Sequence, residues 1–316
     1  MAGGDGTRLK PLTQSMSECD RPKQFCPLLG GKTLLAQTRT RIASIVDPAR
    51  TLYVLTNKHE CFYSSELASE PMSRMIVQPE NRGTLPAILW SLMRIAQLDR
   101  HASVAFFPSD HYYTNEEKFS KGVEAALDSA DAAANSVILL GAVAERPEVE
   151  YGWIEPDDSG INRDGTRLRP VKRFWEKPSP RIAQDLFDRG CLWNTFVMVG
   201  QASAFLELIR EAVPEIYATF EEALVTATSE TEDQIMRQIY DTLPPADFSR
   251  QVLAISTERL QVASLVDIGW SDLGDPRRLV TTLFEHGIAN PWVTSGCCNH
   301  CGLVLSEPSS AQAGFG

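Results

Sequence analysis

Two uninterrupted apolar runs, SVAFFP (103–108) and SVILLGAV (136–143), flank a segment with helical periodicity over 116–129. A strand can be apolar at every residue only when both its faces are buried, which requires helices on each side of the sheet. The same alternation runs upstream. Leu34, Leu35, Ile42, Ile45 and Val46 recur near helical spacing, and TLYVLT (51–56) is a short β-prone run. From Leu85 onward, Ile88, Leu89, Leu92, Met93, Ile95 and Ala96 make one apolar helix face. Strands alternating with amphipathic helices predict an α/β fold built on a parallel sheet covered on both faces.

After Arg146-Pro147 the character changes. YGWIEP, a turn over 157–165, and PVKRFWEKP read as β segments beside a cleft. A helix over 180–189, a strand over 196–199 and further helices follow. Asp275-Pro276 supply a cap and first turn, and Gly287 a stop, for one last helix. Residues 291–316 are rich in Ser, Gly and Cys, and a poorly ordered tail is expected there. Its Cys297, Cys298, His300 and Cys301 are zinc-type ligands, but adjacent cysteines in a single cluster do not match a closed four-ligand site.

Bulk properties exclude several classes. A net charge of −11 opposes nucleic-acid binding. No apolar run approaches the roughly 20 residues needed to cross a bilayer, so no membrane partner is expected. No basic stretch followed by an apolar run opens the chain, and seven cysteines, an odd number, suit reduced thiols and a cytoplasmic location.

The chemistry starts at the opening MAGGDGTRLKPL. Glycines let backbone N–H groups approach phosphate oxygens, and Arg8 and Lys23 add fixed positive charge. Two familiar phosphate loops fail on spacing: one needs glycine where Leu9 stands, the other where Cys26 stands. Taken alone, the loop reads equally well as a flexible tail. Four later segments favour a site. Ser109-Asp110-His111 follows a strand, where ligands bind in open α/β sheets. Gln78-Pro79-Glu80-Asn81-Arg82-Gly83-Thr84 lies at another strand end, and Trp175-Glu176-Lys177-Pro178 and Asp267-Ile268-Gly269-Trp270-Ser271-Asp272 set polar residues among aromatics.

AGGDGTRLKPLT, RPKQF, QPENRGTLPAI, PSDHY, YGWIEP, FWEKP, LWNT and DIGWSDLG occur in this order. Together they resemble the sugar-1-phosphate nucleotidyltransferases, most closely the mannose-1-phosphate guanylyltransferases, from Ala2 to about Leu279. The QPENRGT segment favours the guanylyl branch. The resemblance implies a doubly wound, mixed but mostly parallel Rossmann-like sheet with a small β-rich sugar-binding part. It implies one nucleotidyltransferase domain over 1–290, with a nucleotide half over 1–146 and a sugar-phosphate half over 147–290. The implied reaction joins GTP and a sugar 1-phosphate, with mannose 1-phosphate expected, into GDP-sugar and pyrophosphate. Another nucleotide or sugar, or a non-catalytic nucleotide-sugar-binding regulator, are the alternatives; homo-oligomerisation is left open.

By the same resemblance Gly3, Gly4, Gly6 and Thr7 form the triphosphate loop, and Arg8 and Lys23 hold the β- and γ-phosphates. Asp110 and Asp272 bind Mg²⁺, Glu80 and Gly83 meet the base, Gly152, Glu176 and Asn194 face the sugar, and Lys177 meets its phosphate. Two departures stand out. Relatives commonly carry serine where this chain has Asp5, and a carboxylate beside a triphosphate is unfavourable unless it faces away or helps hold metal. Relatives more often read WNSG where this chain has WNTF, so Thr195 and Phe196 are expected to narrow the sugar end. Relatives also carry a short apolar strand directly before the AGG. Either the natural start lies several residues upstream of Met1, or the loop has lost its anchoring strand and weak activity and lowered stability are expected, which six restored apolar residues would then relieve.

Overall fold

In the computed structural model the described residues are 1–16, 20–157, 168–228 and 231–288. The expected tail over 291–316 and most of the expected turn over 157–165 lie outside them. Ten strands are present among the described residues: β1 (Tyr53–Thr56), β2 (Met75–Gln78), β3 (Ser103–Phe106), β4 (Tyr112–Tyr113), β5 (Val137–Val143), β6 (Gly152–Pro156), β7 (Leu168–Glu176), β8 (Leu192–Gln201), β9 (Leu260–Leu265) and β10 (Trp270–Ser271). The helices are α1 (Lys10–Met16), α2 (Leu34–Ile42), α3 (Glu60–Tyr63), α4 (Thr84–Leu98), α5 (Glu116–Ala130), α6 (Pro180–Asp188), α7 (Ala202–Ala212), α8 (Pro214–Thr226), α9 (Glu232–Thr242) and α10 (Pro276–Glu285). No helix among the described residues is long and apolar enough to cross a membrane.

Burial on both faces explains the continuous apolar runs. Along β5, Val137 and Leu139 point into a core with Ile88 and Leu92 of α4, Phe205 of α7 and Phe220 of α8. Ile138, Leu140 and Ala142 point the other way, against Phe119 and Val123 of α5 and Leu186 of α6. Alternate residues thus feed two different cores, as period-2 geometry requires.

The central sheet has the order β3-β8-β5-β9-β7-β6, and β6 also touches β8. The sheet is mixed, with a smaller parallel share than the alternation suggests. Strands β5 and β9 pair in parallel, but β8 inserts antiparallel between β3 and β5, and β7 pairs antiparallel with both β9 and β6. Strands β1 and β2 form a separate parallel pair. Met1 and Ala2 lie between the two sheets: Ala2 N–H donates to Val54 O at 2.7 Å, and the Met1 amine donates to Phe107 O at 2.9 Å.

A buried carboxylate on β6 gives the fold an acid-sensitive joint. Glu155 accepts from Arg189 at 2.8 Å and Trp175 Nε1 at 3.2 Å, with Lys172 Nζ at 3.0 Å. Burial works to raise its pKa, but these donors win and hold it at about 2. A depressed carboxylate stabilises the fold above its unfolded pKa, and that stability is lost as pH falls toward the folded value. Lys172 and Arg189 are largely solvated, so the contribution is discounted to about 1–2 kcal/mol. Glu155→Gln is expected to lower stability by that amount at neutral pH and to flatten the decline between pH 4.5 and about 2. Melting temperature followed across that window checks both.

Candidate active site

The N-terminal glycine loop is held by its acceptors. Gln24 Nε2 donates to Ala2 O at 2.9 Å and Gly4 O at 2.8 Å, and Thr56 Oγ1 donates to Gly3 O at 2.9 Å. With those carbonyls turned into the protein, the N–H groups of Gly3, Gly4, Asp5 and Gly6 have no acceptor among the described residues. Two glycines are sterically required. A Cβ on Gly3 would lie 2.7 Å from Gln78 Nε2, and Gly6 has φ +59° against Lys23 N. Beside Gly4 there is open space, and Thr7 and Arg8 are exposed. Asp5 does face away. Its Oδ1 meets Lys58 Nζ at 2.7 Å and His59 Nε2 at 3.3 Å, and its Oδ2 accepts from Asn81 at 3.0 Å. Burial opposes its charge, yet Lys58 and Asn81 keep its pKa below the usual carboxylate range.

The two aspartates singled out in the sequence come together. Strands β4 and β10 pair antiparallel, with Ser271 opposite Tyr112, so Asp110 and Asp272 flank one short ladder. Lys23 Nζ sits between them, 3.2 Å from Asp110 Oδ2 and 2.5 Å from Asp272 O. Arg8 Nη2 lies 3.9 Å from Asp272 Oδ2. Burial works against the charge on Asp272, but Lys23 and Arg278 hold its pKa down. Burial pushes His111 down to about 4, so its imidazole is neutral. Its Nδ1 accepts from Trp270 Nε1 at 3.2 Å, which leaves the proton on Nε2, 3.8 Å from Asp110 Oδ1.

Three charged residues here escaped the sequence reading. Glu150 pairs with Arg8 at 2.9 Å, and Arg278 pairs with Asp272, Asp275 and Glu148. Four cations (Arg8, Lys23, Arg146, Arg278) therefore stand against five carboxylates (Asp110, Asp272, Asp275, Glu148, Glu150). A polyanion entering this local negative excess needs added positive charge. Hard carboxylate oxygens around a position that already accommodates an ammonium suit a hard divalent ion. Among the described residues, no group of three or more His, Cys, Asp or Glu forms a metal site by itself. The remaining ligands would be phosphate oxygens and water.

The expected sugar-facing residues also converge. Gly152 lies opposite Glu176 in the β6–β7 ladder. A Cβ on Gly152 would lie 3.1 Å from Glu176 Oε2 and 3.3 Å from Asn194 Cβ. Asn194 Oδ1 accepts from Phe196 N at 3.1 Å, which leaves its amide N–H groups as the donors it can offer. Burial and nearby Asp247 push the Glu176 pKa up. Lys177 is exposed, has φ +49°, and its backbone N–H donates to Tyr151 O at 3.2 Å. Of the two residues expected to narrow the sugar end, Thr195 is turned into the sheet instead. Thr195 is fully buried and donates to Leu140 O at 2.6 Å, pinning an irregularity in β8 to β5, while Phe196 packs against the helix-side core.

The expected base-binding residues occupy the loop after β2. Glu80 is exposed and pairs with Arg82 at 3.0 Å. Gly83 has φ +91° and is pressed onto a strap that the sequence reading missed. Ala246 N–H donates to Arg82 O at 2.8 Å, and Ala246 O accepts from Leu85 N at 3.1 Å. The next residue, Asp247, acts electrostatically on Glu176. Tyr151, beside Gly152, stacks under Arg278 at 4.5 Å. Contacts thus join the glycine loop to the loop after β2 and its strap, and the β6–β7 hairpin to the aspartate pair, while Asp247 links strap and hairpin electrostatically.

A nucleotidyl transferase family model matches residues 1–285. The chain belongs to that family. Relatives of this nucleotidyl transferase include mannose-1-phosphate guanylyltransferase 2 of Escherichia coli O157:H7, 30% identical over 286 residues. That match covers 87% of this chain and 57% of the relative. Alginate biosynthesis protein AlgA of Pseudomonas fluorescens is 29% identical over 284 residues, covering 87% of this chain and 55% of its own length. The chain therefore spans a little over half the length of the curated relatives it matches. A solved structure from Thermus thermophilus, described as a mannose-1-phosphate geranyltransferase, is 29% identical with a TM-score of 0.76. That likeness covers 92% of this chain and 78% of the other.

Proposed function

We propose that this nucleotidyl transferase moves a guanylyl group from GTP to a sugar 1-phosphate, with mannose 1-phosphate as the sugar substrate. A phosphate oxygen of the sugar phosphate attacks the α-phosphorus; one P–O bond forms, the α–β bridge breaks, and pyrophosphate leaves. The names of the relatives support the substrates. The observation that carries the reading is Lys23 Nζ between Asp110 and Asp272, within one cluster with Arg8.

The barrier is anion meeting anion. Two unit charges at 4 Å repel by about 4 kcal/mol at an effective dielectric of 20, so charge neutralisation and positioning dominate and no protein nucleophile is needed. In this reading the free N–H groups of Gly3, Gly4 and Gly6, with Thr7, cradle the triphosphate. Lys23 and Arg8 take the charge of the departing pyrophosphate. Arg8 must first leave Glu150, an exposed pair worth at most about 1 kcal/mol. Glu80 and Gly83 orient the base; a carboxylate can accept both N–H groups on the guanine edge, whereas thymine and uracil offer one. Gly152, Glu176 and Asn194 orient the sugar, and Lys177 its phosphate. Members of the family commonly use a divalent metal. Asp110 and Asp272 would hold Mg²⁺, which when bound neutralises phosphate oxygens. The nucleotide half is then residues 1–146 and the sugar-phosphate half 147–290.

The test is pyrophosphate release with each nucleoside triphosphate against a panel of sugar 1-phosphates. GTP with mannose 1-phosphate is expected to be fastest. Nucleotide-sugar binding without release across the panel would show a non-catalytic regulator instead.

A further inference from the structure

Arg278 stands in the first turn of α10, where a cation opposes the partial positive charge of the helix N-terminus. It is also buried, with a side chain 7% exposed. Both features cost stability, so something must hold it there. Its guanidinium meets Asp272 Oδ1 at 2.5 Å, Asp275 Oδ2 at 3.3 Å and Glu148 Oε2 at 3.4 Å, and lies over the Tyr151 ring. Such a planar fork matches several carboxylates from fixed directions, which a lysine cannot do.

The consequence falls on Asp272. Its Oδ1 takes two donors, Arg278 Nη1 and the Gly274 N–H at 2.8 Å. Its Oδ2 lies on the side of Arg8, 3.9 Å from Nη2. The local backbone is shaped for this. Leu273 adopts φ +48°, and a Cβ on Gly274 would lie 2.5 Å from Asp272 Oδ2 and 2.8 Å from Arg278 Nη1. Glu148, from the segment before β6, braces the guanidinium from the other side.

We propose that Arg278 is a positioning residue for Asp272, occupying Oδ1 so that Oδ2 alone is presented to a divalent cation. This rests on the reading of Asp272 as a metal ligand. Partners that orient a ligand typically change metal affinity 10–100-fold when lost.

The test is Mn²⁺ binding to the full chain with GTP present, followed by electron paramagnetic resonance, in wild type, Asp272→Asn, Arg278→Lys and Arg278→Met. Arg278→Lys keeps the charge and is the variant chosen to fold; Arg278→Met removes it. Asp272→Asn should abolish binding, and both Arg278 variants should weaken it about 10–100-fold. In turnover, the metal concentration for half-maximal rate should rise by the same factor, excess metal should restore kcat, and KM for the sugar phosphate should not move. A purely structural clamp would lower the melting temperature and leave the metal titration unchanged. Wild-type Mn²⁺ affinity in both Arg278 variants, with Asp272→Asn impaired, would overturn this inference alone. Wild-type affinity in Asp272→Asn would overturn the ligand reading and the inference with it.

Discussion

Replacing Asp110 by asparagine is expected to cut pyrophosphate release by about 10²–10³-fold, or roughly 3–4 kcal/mol of transition-state stabilisation. The substitution keeps the shape and removes one negative charge from a cluster built to face a cation. Asparagine still offers an oxygen to Lys23 Nζ, and that ammonium keeps its bond to Asp272 O. Stability should therefore change by only about 1 kcal/mol, the usual scale for a partly solvated pair. The loss should appear in kcat, because the charge matters most as negative charge builds on the leaving pyrophosphate. Stopped-flow pyrophosphate release and calorimetry on the same preparation separate the two effects. Release within threefold of wild type would remove Asp110 from the charge-compensating cluster.

What could be read from the sequence was whatever a side-chain type enforces locally. The apolar runs of β3 and β5 could only be doubly covered strands. Asp275 caps α10 through Arg278 N–H, and Gly287 at φ +60° follows its end. The candidate site was legible because its glycines, carboxylates and cations come in short motifs. What was not legible depends on distant partners. Strand β9 pairs with β5 and β7, yet Gln261 and Ser264 interrupt its apolar pattern, and Ser264 accepts from Arg169 across the sheet. No local feature of LWNTFVMV announces that β8 will insert antiparallel between β3 and β5. Asp5 looked hostile to phosphate because the partners that turn it away, Lys58, His59 and Asn81, come from distant strand ends. Nothing local marks Arg278 as part of the site, because Glu148, well over a hundred residues away, is brought against it only by the fold.

Gly83→Ala should have the largest effect on the nucleotide end without touching a charged group. At φ +91° an L-residue is strained, and the added Cβ would come within 2.2 Å of the Ala246 carbonyl oxygen. That oxygen cannot simply withdraw, because it accepts the Leu85 N–H at 3.1 Å at the start of α4. Overpacking of about 1–3 kcal/mol adds to about 1–3 kcal/mol for a side chain in this extended positive-φ region, so a loss of roughly 2–6 kcal/mol is expected unless the loop moves. If the loop moves, Glu80 and Arg82 move with it and KM for GTP should rise at least tenfold, while KM for the sugar phosphate, which the proposed function places at Glu176 and Asn194, changes less. If the loop holds, the melting temperature falls instead. Asn81→Ala provides the comparison: it removes the bonds to Asp5 and to Gly83 N–H without adding an atom, and should cost only about 1 kcal/mol per bond. A Gly83→Ala protein with wild-type melting temperature and wild-type KM for GTP would mean that contact with Ala246 does not fix the base loop.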